Sequence, residues 1–252
     1  MIDLTHRVVI VTGGSRGIGA ATAVMMARAG ADVVITYHSN KKAAQIIKKQ
    51  IESLGKCAIT IPGKIENLQD CKRIAELTYV RFHKIDILVN SAGIWEEGAV
   101  GTMTEDDWNR SIRVNLTGTF NMCTAVVPFM LKKKYGRIIN ISSTAGQRGE
   151  AFHSHYAASK GGVIAFTKSI AVELIKNGVW VNCVAPGWVD TEMVAHVLKN
   201  RKMKKEINNS IPRGQIASVE EIAGPVLFLA SDLSNNVVGE VLNVNGGGVL
   251  CG

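Results

Sequence analysis

The 252-residue chain is poor in cysteine, proline and aromatic side chains, with five cysteines, five prolines and 6% Phe, Trp and Tyr. The cysteines (Cys57, Cys71, Cys123, Cys183 and Cys251) are odd in number and widely spaced, without a Cys-x-x-Cys pair. That pattern predicts neither a disulfide framework nor a zinc site. No other metal site is read, and a reducing compartment, the cytoplasm, is the expected location. Long apolar runs are missing too, none approaching the roughly 18 residues of a membrane span. The opening Met1-Ile2-Asp3-Leu4-Thr5-His6-Arg7 enters a strand-like stretch rather than a signal-peptide core. No membrane partner is expected.

The scarcity of aromatics also bears on the formal net charge of +8. Basic residues cluster at Lys41, Lys42, Lys48 and Lys49, at Lys132, Lys133 and Lys134, and at Lys199, Arg201, Lys202, Lys204 and Lys205. No aromatics interleave them as a single-strand stacking platform requires, and no zinc-finger or RNP signature accompanies them. Nucleic acid is therefore not an expected partner. The clusters read most simply as solvated helix faces, and the charge as a general attraction for anionic ligands.

What is present is an ordinary globular composition, 46% hydrophobic and 20% charged. Folding should bury about 70–75% of the unfolded surface, enough to need no covalent staple. Short β-branched runs predict strands over 7–12, 32–37, 56–62, 85–90, 136–142, 180–185 and 240–244. Several are apolar throughout, such as Val8-Val9-Ile10-Val11, as strands covered on both faces are. Helical patterns fall between them over 17–29, 41–54, 68–82, 104–131, 156–176 and 218–230. Gly30 reads as a C′ glycine, and Ser218 with Glu221 and Thr104 with Asp107 as capping boxes. Such alternation predicts one α/β domain over 1–252, a doubly wound parallel sheet (Rossmann fold) of about seven strands. A dinucleotide-binding half is expected over about 1–140, and a catalytic and substrate part over about 141–252.

The segment Thr12-Gly13-Gly14-Ser15-Arg16-Gly17-Ile18-Gly19 joins the first strand to the first helix. Gly13 permits a tight exit, Gly17 lets backbone approach a pyrophosphate, and Gly19 allows close helix–strand packing. The helix N-terminus offers free N–H groups to phosphate. In NAD-binding relatives of this motif, an acidic residue about 20 positions on holds the ribose 2′-hydroxyl. Here Tyr37-His38-Ser39-Asn40-Lys41-Lys42 carries no carboxylate. Arg16, Ser39 and the lysines suit a 2′-phosphate instead, so NADP(H) is preferred and NAD(H) is the lesser alternative.

Further along stand Ser142-Ser143 and Tyr156-Ala157-Ala158-Ser159-Lys160. Tyrosine and lysine four apart on a helix share a face, and a nearby ammonium favours the phenolate of a proton-shuttling tyrosine. Tyr-x-x-x-Lys alone is common by chance. Its order after the glycine turn, Asn90-Ser91-Ala92-Gly93, Asn115 and Ser143, and before Pro186-Gly187, resembles the short-chain dehydrogenase/reductase family from about Leu4 to the end. The tail Gly239 to Gly247 is similar to the 3-oxoacyl-[acyl-carrier-protein] reductase branch.

The resemblance implies that Tyr156 is the acid/base and that Ser143 hydrogen-bonds the substrate oxygen. It implies that Lys160 lowers the tyrosine pKa and holds the nicotinamide ribose, while Asn115 anchors a water of the proton relay. Asn90, Ala92 and Gly93 would line the cofactor cleft, and Pro186, Gly187, Val189 and Thr191 would hold the carboxamide side. Relatives carry Asp-Val at an adenine contact where this chain has Lys64-Ile65, and Ser91 replaces a usual second Asn. Dedicated acyl-carrier-protein reductases carry Thr-Arg-Asp where Trp95-Glu96-Glu97 follows Ile94.

The implied reaction is hydride transfer between nicotinamide and a ketone or secondary alcohol, with a 3-oxoacyl thioester on an acyl carrier protein or coenzyme A as first candidate. A lid is expected over about 191–217, where the basic cluster from Lys199 to Lys205 would recruit an anionic substrate. Lys132 to Lys134 would add a docking patch for an acidic carrier protein. Trp95 and Trp188 would flank the substrate and suit a flat or alicyclic one. The alternatives are a broad carbonyl reductase, a sugar, polyol or steroid dehydrogenase, or a non-catalytic NADP sensor or nucleic-acid binder. The family also implies a homotetramer, with the helices over 104–131 and 156–176 pairing across one interface.

Overall fold

The computed structural model describes residues 2–250, so Cys251 lies outside the described residues. The chain begins with β1 (Val8–Thr12), α1 (Gly17–Arg28), β2 (Asp32–Tyr37), α2 (Lys41–Glu52), β3 (Ala58–Pro62) and α3 (Leu68–Phe82). There follow β4 (Ile87–Asn90), α4 (Glu105–Ser111), a π-helical segment (Ile112–Thr117), α5 (Gly118–Lys133), β5 (Gly136–Ile141) and α6 (Ala145–Arg148). The last part holds α7 (Ser154–Leu174), β6 (Val179–Pro186), α8 (Ala195–Leu198), α9 (Arg201–Ser210), α10 (Val219–Leu229) and β7 (Val241–Val244). Seven parallel strands form a single sheet in the order β3-β2-β1-β4-β5-β6-β7. This is the single-domain, doubly wound architecture expected.

All five residues of β1 are buried because both faces of the sheet are covered. Val9, Val11, Val33 and Ile35 pack towards Met26, Val226 and Leu229. Ile10, Val34 and Leu88 pack towards Ile74, Met122 and Val126. Alternate residues of one strand thus feed two separate cores. Gly30 takes a left-handed φ of 106° after α1, and both expected capping boxes form. Cys71, Cys123 and Cys183 are buried free thiols, and Cys57 is a half-buried one.

The structure departs from the sequence reading in one helical region, where the single helix expected over 104–131 is interrupted by the π segment. The expected lid folds into α8 and α9, with the basic cluster on exposed helix faces as read from the sequence. No continuous apolar run marks the sequence, yet Glu105–Lys133 makes one helical stretch long and apolar enough to cross a membrane. Half of its most apolar window is buried inside the protein, and it carries the buried polar residues Asn115 and Asn121.

At the end of the sheet remote from the strand C-termini, Asp86 is fully buried. One carboxylate oxygen accepts from Val8 N at 2.8 Å. Arg7 lies 3.8 Å away, Lys84 3.9 Å away, and Lys133 bonds it directly. A single anion thereby ties the starts of β1 and β4 to the end of α5. Asp86→Asn keeps the size and removes the charge, with an expected loss of about 1–3 kcal/mol of stability. Urea unfolding measures it, and the gap should narrow in high salt because the three cations are partly exposed. An unchanged midpoint would refute the role.

Candidate active site

The site lies where the strand order reverses, between the C-terminal ends of β1 and β4, the usual ligand crevice of an open α/β sheet. Thr12 pairs in register with Asn90. The Thr12 hydroxyl accepts from Ser91 N at 3.0 Å and Ala92 N at 3.1 Å, joining the two loops. Gly13 has φ 63°, and a Cβ there would sit 2.9 Å from Ala92 Cα. At Gly19 a Cβ would lie 2.4 Å from Gly13 O, so the helix could not approach the turn. Bare backbone and the first turn of α1 therefore face an open cleft of about 510 Å³.

The sequence-predicted cofactor residues converge on that cleft. Gly13, Ser15, Arg16, Gly17, Ile18 and Gly19 form one wall, and Tyr37, His38 and Ser39 close the end of β2. Lys64 and Ile65 lie beyond β3, Ala92 and Gly93 beyond β4, Pro186 ends β6, and Gly187, Val189 and Thr191 follow it. Arg16 is exposed at the N-cap of α1 without a side-chain cap bond. Lys64 is exposed, while its backbone N donates to Asp70 Oδ2 at 2.8 Å. Asp70, also bonded by Arg73, is held below its ordinary range chiefly by that Lys64 backbone bond. The side chain that replaces the family's Asp is thus anchored through its backbone and free at its tip.

Asn90 behaves differently from expectation. It is buried under the cleft floor, and its Nδ2 donates to Asn140 Oδ1 at 2.9 Å. Asn140 Nδ2 donates in turn to Thr167 Oγ1, also at 2.9 Å. This chain of amides satisfies polar groups between β4, β5 and α7, and that demand turns Asn90 away from the cleft.

Ser143, Tyr156 and Lys160 meet in the same cleft. Ser143 Oγ accepts from Ala145 N at 3.1 Å, which orients it at the start of α6. Lys160 Nζ donates to Ile141 O at 2.8 Å and lies 5.8 Å from the Tyr156 ring centre. Burial pushes the Tyr156 phenol up to about 12, although a hydrogen bond with Ser143 pulls it down and Glu150 pushes it further up. Burial likewise brings Lys160 down to about 8. The lowering expected from the lysine is not what sets the phenol: desolvation disfavours both charged forms, and Ser143 is the neighbour that lowers Tyr156.

Asn115 occupies the π segment, fully buried. Its Oδ1 accepts from Ile94 N at 2.8 Å, and its Nδ2 donates to Ile94 O and Ser159 Oγ, each at 3.0 Å. The side chain is committed to pinning the loop after β4 against α7, and the extra residue of a π turn is what rotates it inward. A Cβ on Gly93 would lie 3.0 Å from Asn115 Oδ1 and 3.5 Å from Lys160 Nζ.

Trp95 and Trp188 line the cleft together, their rings 6.0 Å apart at 79°. The sequence did not point to the residues that hold Trp95. Trp95 stacks on His153 at 4.3 Å and 5°, and its Nε1 donates to Glu150 Oε2 at 3.3 Å. The only sequence signal was that Glu150 and His153 fall between Ser143 and Tyr156. The expected lid cations do not enter the cleft: Lys199, Arg201, Lys202, Lys204 and Lys205 are all exposed, and α9 buries no residue.

A family model described as enoyl-(acyl carrier protein) reductase matches residues 13–248. The chain is 40% identical to a 3-oxoacyl-[acyl-carrier-protein] reductase of Synechocystis sp., over 99% of this chain and all of that one. It is 38% identical to that of Escherichia coli K12, over 98% of both. A structure described as an NAD(P)-dependent gluconate 5-dehydrogenase from Beutenbergia cavernae, with bound NADP, superposes at TM-score 0.92, 33% identity and 98% of both chains. One described as a short-chain alcohol dehydrogenase from Sinorhizobium meliloti gives 0.94 at 29% identity, over 98% of this chain and 97% of that one. With the glycine turn, Ser143, Tyr156 and Lys160 on one cleft at the sheet's switch point, the chain belongs to the short-chain dehydrogenase/reductase family of oxidoreductases.

Proposed function

We propose that the protein is an NADP(H)-dependent reductase of ketones whose substrate is a 3-oxoacyl thioester carried on an acyl carrier protein or coenzyme A. The observation that carries the chemistry is the meeting of Ser143, Tyr156 and Lys160 in a cleft walled by the glycine turn. The thioester assignment is supported by the names of the curated relatives. A second reading, a neutral ketone or polyol, is favoured by the absence of the lid cations from the cleft lining.

The cradle suits a dinucleotide: bare backbone at Gly13 and Gly17 and the N-terminus of α1 would take the pyrophosphate. Arg16 and Ser39 would take the 2′-phosphate, where no carboxylate stands to repel it. Lys160 would hold the nicotinamide ribose, and Pro186 to Thr191 the carboxamide side. Bound NADPH supplies the hydride. Ser143 orients the substrate oxygen, and Tyr156, protonated at neutral pH, donates its phenolic proton to that oxygen. Lys160 stabilises the phenolate so formed, and Asn115 keeps the loop at Ile94 in register with both.

Two experiments test this reading. Tyr156→Phe should leave NADPH binding near normal and reduce turnover of acetoacetyl-CoA by at least about 100-fold; retained turnover refutes the proton transfer. In the wild type, Lys160 loses its proton as pH rises through about 8, and with it the charge that stabilises the phenolate left on Tyr156. Ketone reduction should therefore fall as pH rises through that value, and a rate that stays level well above it would refute the assignment.

Arg16→Ala should weaken NADPH binding about tenfold more than NADH binding, measured by titration of the cofactor without substrate. An equal loss would transfer the preference elsewhere.

We also propose a homotetramer. The family resemblance implies it, and the two helices expected to pair leave Phe120 on α5 and Val172 on α7 47% and 75% exposed. Sedimentation should show four subunits, and Val172→Glu should yield a smaller species; a wild-type monomer would refute the proposal.

A further inference from the structure

The cleft holds an aromatic corner that the proton-transfer chemistry does not use. Trp95 and Trp188 stand almost perpendicular, so a ring lying on one indole meets the edge of the other. Such face-and-edge contacts are the favoured arrangements between aromatic rings. The Trp95 side of the corner is fixed, and His196 also packs on its ring at 5.6 Å and 38°. Trp95 is backed by His153 in a parallel stack and fixed at its indole nitrogen by Glu150. Its chain neighbour Ile94 is held at both N and O by Asn115. A surface fixed before binding loses little entropy when a ligand settles on it.

The surroundings narrow the ligand further. Glu96, which also lines the cleft, is neutralised by Arg110 at 2.9 Å, and Glu150 accepts from the Trp95 indole. Ile94, Val114, Met193 and Val194 add apolar lining. The corner therefore offers flat carbon surface beside two carboxylates, Glu96 and Glu150, that are already engaged, which favours a ring over a free carboxylate.

We infer that the substituent on the reacting ketone is a ring, aromatic or alicyclic, seated in the corner of Trp95 and Trp188. The inference rests on the ketone-reductase reading and specifies its substrate class, whether the rest of the molecule is a thioester or neutral. Trp95 and Trp188 are specificity-determining residues, and Glu150, His153 and Asn115 act through Trp95 as positioning residues.

The test compares two pairs of 3-oxo compounds with NADPH. One pair is benzoylacetyl- and acetoacetyl-N-acetylcysteamine, and the other is ethyl benzoylacetate and ethyl acetoacetate. The wild type should favour the ring-bearing member of each pair by about tenfold in kcat/KM, the scale of one aromatic stack. Trp95→Leu should lower the ring-bearing member about tenfold more than the open-chain member, mostly through KM, and Trp188→Leu should do the same. Equal turnover within both pairs, or a preference that survives both variants, would overturn the inference. Thioesters reduced without regard to the ring would keep the proposed substrate and discard the corner. Ring-bearing esters reduced while both thioesters fail would do the reverse. Should no compound turn over, isothermal titration of the two esters into the NADP⁺ complex decides, equal affinity overturning the inference.

Discussion

Gly13 passes so close to Ala92 that a Cβ on it would lie 2.9 Å from Ala92 Cα, and beside it Thr12 accepts two backbone N–H groups of the neighbouring loop. Much of the site depends on that approach. It sets the turn against the end of β4, and the lack of a side chain at Gly19 then lets α1 pack down on the turn. The loop after β4 in turn carries Ala92 and Gly93 into the cleft and presents Ile94 to Asn115. A methyl group at Gly13 would require both a side chain on left-handed backbone and a shift of main chain.

Burial governs the chemistry that this scaffold holds. Tyr156 and Lys160 share one helix and one cleft, and each is pushed towards its neutral form by loss of water. A tyrosine kept protonated is suited to giving a proton to a carbonyl oxygen, and a lysine poised near neutrality responds readily to the phenolate that results. Ser143 is the one neighbour that pulls the phenol the other way. The site therefore rests on desolvation offset by a hydrogen bond, with the ammonium in a responsive role.

Charge is distributed between two ends of the molecule. At the far end of the sheet, Asp86 gathers Arg7, Lys84 and Lys133, so part of the cluster at Lys132 to Lys134 has a structural function. At the strand C-termini the basic residues of α9 remain in water. The cleft itself is lined by the two indoles, by the engaged carboxylates Glu96 and Glu150, and by Ser143, Tyr156 and Lys160. Net charge thus says little about what the cleft selects.

The sequence by itself determined the strands, their parallel pairing and the cofactor wall, because hydrophobic runs, glycine spacing and the Tyr156–Lys160 interval are local properties of a chain. Capping at Thr104 and Ser218 was equally legible, since each cap spans three residues. Tertiary structure decided what depends on partners distant in sequence. Asn90 was drawn under the floor by Asn140, fifty positions away, rather than into the cleft. The π segment that turns Asn115 inward answers to Ile94 and Ser159, neither of which a helical periodicity can reveal. The pKa of Tyr156 follows from burial, which no spacing expresses. The aromatic corner arises only because Glu150 and His153 converge on Trp95, and convergence of separate segments is a property of packing alone.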